Sequence, residues 1–323
     1  MLMRWQTRAV LLALFVTNCA SAADDTNGSS GQPTYRSTVS EVRVTFFATD
    51  ENNHPVATLA KSDFAIVDNE RVVRNFRSFT HSDETSLDVV VLVDLSESVA
   101  PRFRVAVSNV LQLVAREQPI PNDNISVLSF GGSSQGTFGA TSGGMRPAVL
   151  CSSGCRAPDS VNGLLAVKSS GTTPLFDALI FAAGLISQHR RPGARPVLIL
   201  FSDGNDTISL HSAREALQAV VAGGALIYSI DMGKSGDLSA GSTFLQQISE
   251  ATGGRYFSSR FLQKDGAAAV LNAVLEDLRA SYVVTYDLPS HEAGLHALRL
   301  LPTHNLNLTF HSRSGYYYEP SLR

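Results

Sequence analysis

An open, doubly wound α/β sheet, mostly parallel and with helices on both faces, is the fold class predicted from this 323-residue chain. The first observation behind it is the run Leu87-Asp88-Val89-Val90-Val91-Leu92-Val93. Nearly continuous apolar, β-branched stretches belong to parallel strands covered on both sides. The second is that such runs recur between segments of helical periodicity. The third is that both ends of the chain lack helix patterns and carry short β-rich runs broken by turns.

Composition sets the frame. With 44% hydrophobic and 17% charged residues, a sizeable core can be buried. The formal charge of −3 and the absence of a Lys/Arg-rich run argue against nucleic acid as partner, because phosphate binding needs a concentrated basic surface. Residues 1–22 read as an export signal: Arg4 and Arg8 lead, Ala9 to Val16 is apolar, and Ala20-Ser21-Ala22 is a small-x-small cleavage site. Their removal takes two arginines and no acid, so the mature charge becomes −5. No membrane-length apolar stretch follows, and a periplasmic or extracellular location is expected.

Residues 23–36, rich in Asp, Asn, Gly and Ser, read as a linker. From residue 37 to 85 the strands fall at Val39 to Ala48, Phe64 to Val67 and Val72 to Phe79, with turns at Asp50 to His54 and Asp68-Asn69-Glu70. The α/β segment occupies 86–280. Its first strand precedes a helix at Pro101 to Glu117, and Ile125 to Phe130 is the second strand. After a Gly/Ser-rich loop from Gly131 to Ser160 come a helix at Pro174 to Gln188 and a strand at Pro196 to Phe201. Then follow a helix at Ser212 to Val221, a strand at Ala225 to Ile230, a helix at Phe244 to Ala251, a strand at Arg255 to Ser258 and a helix at Ala267 to Ala280. Strand runs return in 281–323, at Tyr282 to Tyr286, Leu298 to Leu301 and Leu306 to His311. Neither end has enough strands for a sheet of its own. The two ends are therefore expected to build one small β-sandwich into which the α/β domain is inserted.

Two cysteines remain after signal removal. Cys151 and Cys155 flank Ser-Ser-Gly in a loop-like stretch, and in an oxidising compartment a short-loop disulfide is the expected outcome. The competing reading, a pair of metal thiolates, lacks a second Cys or His pair at ligand spacing.

Two apolar strands end in aspartate, at Asp94 and at Asp203. In an open parallel sheet the carboxyl ends of the strands share one edge, where ligands collect at the switch point. Ser96 and Ser98 place hydroxyls at two-residue intervals after Asp94, and Thr173 adds a third ahead of Pro174. Two carboxylates and three hydroxyls are hard donors suited to Mg²⁺ or Mn²⁺. Singly, each has a plain structural alternative: an aspartate in a turn, serines opening a helix, a threonine as N-cap.

In order along the chain, however, Asp94-x-Ser96-x-Ser98, Thr173 within Gly171-Thr172-Thr173-Pro174, and Asp203 within Phe201-Ser202-Asp203-Gly204 resemble the metal-ion-dependent adhesion site of the von Willebrand factor type A domain. The chain is similar above all to bacterial exported proteins related to that domain. The likeness runs over residues 38 to 318 and includes Ile227 to Gly233, Ala251 to Phe257 and Arg313 to Tyr317. It implies that Ser96, Ser98 and Thr173 bind the metal directly while Asp94 and Asp203 act mostly through water, leaving a position for a partner carboxylate. The implied function is protein binding by capture of an exposed Asp or Glu side chain. Glu97 departs from the small residue usual there. It is expected to face solvent and, with Asn205 and Asp206, to belong to the partner-contacting rim. The alternatives carried are an envelope-assembly component in which the metal stabilises the fold and, more remotely, a hydrolase.

Enzyme motifs fail on spacing. In His291-Glu292-Ala293-Gly294-Leu295-His296 the second histidine falls one residue too late to share a helical face with the first, and Gly294 weakens a helix. Gly233-Lys234-Ser235 lacks the phosphate loop's first glycine, since position 228 is Tyr. No nucleophile elbow occurs in a strand-to-helix setting. A non-catalytic protein is expected.

Overall fold

Every residue of Leu87–Asp94 is buried, because the strand alternates its side chains between two covered faces. Val89, Val91 and Val93 enter one core and Val90 and Leu92 the other, the two-residue period of a strand acting on an unbroken apolar run. The computed structural model describes residues 41–82, 86–102, 124–133, 140–141, 144–152, 154–155, 164, 168–169, 171–234 and 239–319, all belonging to one compact unit. The expected signal segment, linker, most of the helix at Pro101 to Glu117 and much of the loop from Gly131 to Ser160 lie outside the described residues.

In chain order the strands are β1 (Glu41–Thr49), β2 (Phe64–Asp68), β3 (Arg71–Val73), β4 (Ser78–His81), β5 (Leu87–Asp94) and β6 (Asn124–Phe130). Short pieces follow: β7 (Gly132–Ser133), β8 (Ala140–Thr141), β9 (Gly144–Met145), β10 (Ala148–Cys151) and β11 (Lys168–Ser169). Helix α1 (Leu175–Gln188), β12 (Arg195–Ser202), α2 (Ala213–Gly223), β13 (Leu226–Asp231), α3 (Ala240–Thr252), β14 (Tyr256–Phe257) and α4 (Ser259–Arg279) complete the alternation. The chain closes with β15 (Tyr282–Asp287), β16 (Gly294–Pro302), β17 (Thr309–Ser312) and β18 (Gly315–Tyr318).

The central sheet has the order β10-β6-β5-β12-β13-β14, parallel except for β10, which lies antiparallel on β6. The chain moves from β5 outward to β6 and then returns to β12 on the other side of β5, so the switch point falls between β5 and β12. Helices α1, α2 and α3 cover one face through Leu179, Ala182, Val220, Leu245 and Ile248. Helix α4 covers the other through Val270, Leu271, Val274 and Leu278. Local signals fix the helix ends: Ser212 and Glu215 form a reciprocal capping box at α2, and Gly224 ends it in the left-handed region.

Strands from the two chain ends pair with each other. One sheet runs β17-β1-β15-β4 and the other β18-β16-β2-β3, and Val44, Phe46, Phe64, Ile66, Tyr282, Val284 and Leu298 share one core between them. The Phe46 and Phe64 rings, one from each sheet, lie 4.9 Å apart. Among the described residues no helix is long and apolar enough to cross a membrane.

Two differences from the sequence reading stand out. Ala148–Cys151, inside the expected Gly/Ser-rich loop, is the edge strand β10, and Cys151 is bonded to Cys155. Helices α3 and α4 each begin earlier than their apolar periodicity suggested, because Ser239 and Ser258 cap them, each accepting a hydrogen bond from the backbone three residues on.

Candidate functional site

Asp94 ends β5 with no solvent exposure. Its Oδ1 accepts from the backbone N–H of Ser96 at 2.8 Å, and its Oδ2 accepts from the Ser202 hydroxyl at 2.7 Å. Burial pushes its pKa up to about 6; the Ser202 and Ser96 bonds oppose this, and the charge of Asp203 adds to it. Ser96 is buried as well, and its Oγ lies 3.1 Å from that of Ser98, which is exposed. The turn therefore carries a hydroxyl ladder from the buried carboxylate to solvent.

The end of β6 closes against this turn. Leu95 N–H donates to the carbonyl of Phe130 at 2.8 Å, and Gly131 follows at φ +74°. A Cβ on Gly131 would stand 2.9 Å from Ser96 N, 3.1 Å from Asp94 Oδ1 and 3.2 Å from Thr172 O. Only a glycine lets the Asp94 turn, the β6 end and the Thr173 loop meet so closely.

Thr173, 3% exposed, is tied to the loop after β12 by a two-way clip. Its N–H donates to Thr207 Oγ1 at 2.7 Å, and Thr207 N–H donates to its carbonyl at 2.9 Å. The same loop caps α1: Phe176 N–H donates to Asp206 Oδ2 and Asp177 N–H to Ser209 Oγ, each at 3.1 Å. In return the Asp177 carboxylate accepts from the backbone of Leu210 and His211 and binds His211 Nδ1 at 2.7 Å. The helix N-terminus is thus satisfied by Asp206 and Ser209, not by Thr173.

Asp203, 5% exposed, accepts from Asn205 N–H at 3.1 Å. Gly204, at φ +78°, sits against the Gly241 backbone, where a Cβ would lie 2.2 Å from the Gly241 carbonyl oxygen. The fold thus brings Asp94, Ser96, Ser98 and Asp203 to one end of the β5–β12 pair, and carries the Thr173 loop to the same edge through Thr172 and Thr207. Of the residues expected at a rim, Glu97 and Asn205 are exposed, with Glu97 Oε2 beside Gly171. The Asp206 carboxylate is engaged by Phe176 N–H and by the N–H and hydroxyl of Ser209.

Residues that sequence reading did not single out complete the picture. Ser202, the last residue of β12, bridges to Asp94, and its neighbour Asp203 lies just past the strand, close enough for its charge to raise the Asp94 pKa. A third strand-end carboxylate, Asp231 on β13, is satisfied by Gly233 N–H at 2.6 Å, Ser242 Oγ at 2.8 Å and Tyr256 OH at 2.6 Å. Among the described residues no three His, Cys, Asp or Glu side chains gather around a common point. The donor set at the β5–β12 edge is hydroxyl-rich, with Asp94 and Asp203 as its acids. Such a set fits a hard divalent cation.

The profile of the von Willebrand factor type A domain matches residues 88–265, just over half of the chain. No curated protein matches in sequence. An aerotolerance-related membrane protein of Bacteroides fragilis is 14% identical with TM-score 0.40, over 59% of this chain and 98% of that one. BatB of Bacteroides thetaiotaomicron is 16% identical with TM-score 0.39, over 58% and 98%. A von Willebrand factor type A protein of Catenulispora acidiphila is 12% identical with TM-score 0.41, over 88% and 76%.

Proposed function

Because the chain belongs to the von Willebrand factor type A domain family, whose domains generally serve as protein-interaction modules, we propose that it is an exported, metal-dependent binding protein. Ser96, Ser98 and Thr173 hold Mg²⁺ or Mn²⁺ through their hydroxyls, and Asp94 and Asp203 support the ion mostly through water. When bound there, the cation supplies an electrophilic position for an exposed Asp or Glu of a partner protein. The chain's own residues do the rest. Ser202 and the Ser96 backbone orient Asp94, the Thr207 clip positions Thr173, and Glu97 and Asn205 form the rim that a partner meets.

One observation carries this reading: a fully buried Asp94 whose ordinary ionisation is opposed by its surroundings, next to hydroxyls that lead out to solvent. A buried carboxylate without a cation is costly, and a divalent ion offsets that cost. The Cys151–Cys155 disulfide agrees with a chain that works in an oxidising compartment.

The same burial favours a second reading, in which the ion only stabilises the fold of an envelope component. Pull-down of partners by the mature protein in Mg²⁺ and in EDTA separates them. Partner capture abolished by EDTA, with the fold intact by circular dichroism, supports binding. Retained capture together with a large fall in Tm supports the structural role. Hydrolase activity that Asp94→Ala abolishes would replace both.

A further inference from the structure

At the end of the sheet opposite Asp94, Arg43 of β1, Arg190 after α1, Arg195 at the start of β12 and Arg313 between β17 and β18 line one cleft of about 120 Å³. No Asp or Glu is among its lining residues. Arg195 forms a fixed positive floor: it is 3% exposed and donates to the carbonyls of Ser82 and Leu278 at 3.0 and 2.8 Å. Arg313 donates from one guanidinium nitrogen to the Arg43 carbonyl at 2.9 Å, while its Nε is buried without a hydrogen-bond partner among the described residues. Arg43 and Arg190 are exposed at the mouth.

The nearest exposed acids lie outside this cleft: Glu41 and Glu319 line the adjoining one together with Arg43 and Arg313. Helices α1, α2 and α3 end near the cleft, at His189, Gly224 and Gly253, and each helix C-terminus carries about half a negative elementary charge. Together these fall well short of four guanidinium charges. Asp68 lies behind Arg313, but its oxygens are taken by Tyr286 OH at 2.9 Å, Tyr316 OH at 2.6 Å and His296 Nδ1 at 3.4 Å. Burial lowers the Arg313 pKa from its usual range, and the like charge of Arg190 acts in the same direction.

We propose that this cleft binds a small oxyanion, a phosphate or sulfate group, gripped by Arg43, Arg190 and Arg313 over the floor set by Arg195. Planar guanidiniums bind such oxygens in paired, charge-assisted hydrogen bonds, and a cleft this small selects a compact anion over a large organic ligand. Because its residues come from both the terminal strands and the α/β layers, a bound anion ties the two together.

The test is calorimetric titration and thermal unfolding of the full mature chain with sodium phosphate, sodium sulfate and sodium chloride at matched ionic strength. Phosphate or sulfate should bind saturably and raise Tm where chloride does not. The exposed pair Arg43→Gln and Arg190→Gln, together, should weaken that binding about tenfold or more while keeping the wild-type Tm in chloride. Asp94→Asn should leave phosphate binding unchanged, so this site and the cation site stand or fall separately. A phenyl phosphate arm distinguishes the source: binding of inorganic phosphate alone assigns a free ion, and binding of both assigns a phosphate group on a larger molecule. An equal response to chloride, or wild-type affinity in the double variant, overturns the proposal.

Discussion

The Ser202 hydroxyl donates a 2.7 Å hydrogen bond to Oδ2 of Asp94, across the ends of the neighbouring parallel strands β12 and β5, where Phe201 pairs with Val93. Two strands more than a hundred residues apart in sequence are thereby locked at their carboxyl ends. A buried carboxylate is held in one orientation by a backbone donor on one oxygen and a side-chain donor on the other.

That arrangement makes Asp94→Asn informative in both directions. The folded pKa of about 6 lies above the 3.8 of an unperturbed aspartate, so the favourable contribution is complete below pH 3.8 and is lost as pH rises through about 6. At pH 7 the metal-free protein therefore carries roughly 3 kcal/mol of ionisation cost. An asparagine keeps an acceptor for Ser96 N–H and sheds the charge. In EDTA the variant should be at least as stable as the wild type by urea denaturation. With Mg²⁺ only the wild type should gain stability, as mass action requires of a ligand that binds the folded state. An equal Mg²⁺ shift in both proteins would remove Asp94 from the cation site.

Gly131→Ala tests the meeting point of three segments. Gly131 and Gly193 share nearly the same left-handed φ, +74° and +79°, yet a Cβ at Gly193 meets nothing within 4 Å while one at Gly131 meets Ser96 N at 2.9 Å. Both alanines should carry about 1 kcal/mol of backbone strain. Gly131→Ala should cost a further 1–3 kcal/mol or so from forced displacement and should weaken Mg²⁺ binding, which Gly193→Ala leaves intact. Thermal shifts of the two variants with and without Mg²⁺ make the comparison, and equal behaviour would refute it.

Much of this was legible in the chain and some was not, for reasons particular residues make plain. Leu87 to Val93 announces its own burial, because an unbroken β-branched run has no polar face to offer solvent. The Asp94-x-Ser96-x-Ser98 spacing is local, so its turn could be read directly. Ser202 could not: its role depends on the β5–β12 register, which no local pattern states. Asp177 and Asp206 look in sequence like any other acids, and only the fold shows them bracing α1 against the 206–211 loop across some thirty residues. Ala148 to Cys151 is too short to stand out from its Gly/Ser surroundings, and it becomes β10 through pairing with β6. The rejected zinc motif resolves in the same way. Gly294 opens strand β16, and His296 faces Asp68 and the carbonyl of Glu292.

Removing the disulfide should have a small and local effect. Cys151 and Cys155 are separated by 4 positions, and closing so short a loop is worth about 2 kcal/mol on chain-entropy grounds. The pair Cys151→Ser and Cys155→Ser should lose no more than that. Its loss should appear as faster amide exchange along the sheet edge, where β10 pairs with Val127 to Ser129 and Cys155 N–H donates to Ile125. A loss of all tertiary structure would mean that the bridge supports far more than the edge strand.

A pH effect of the opposite sign should come from His311. Its ring stacks on Phe47 at 4.5 Å, nearly parallel at 7°, and its Nε2 lies 3.1 Å from Thr49 Oγ1. Burial, with the positive charge of Arg255 adding to it, depresses its pKa from 6.5 to about 4. A depressed base contributes stability that is present above the unfolded pKa and is lost as pH falls through the folded one. Between pH 6.5 and about 4 the unfolded chain takes up a proton that the folded chain refuses, so stability should fall by roughly 3 kcal/mol across that window. Other groups titrate there too, which makes the difference between proteins the useful quantity. His311→Gln keeps a polar group beside Thr49 and cannot charge, so its urea midpoint should fall less steeply with acid than the wild type's. The two curves should converge toward pH 4. Parallel curves from pH 7 to 4 would show that the imidazole is not held neutral between Phe47 and Arg255.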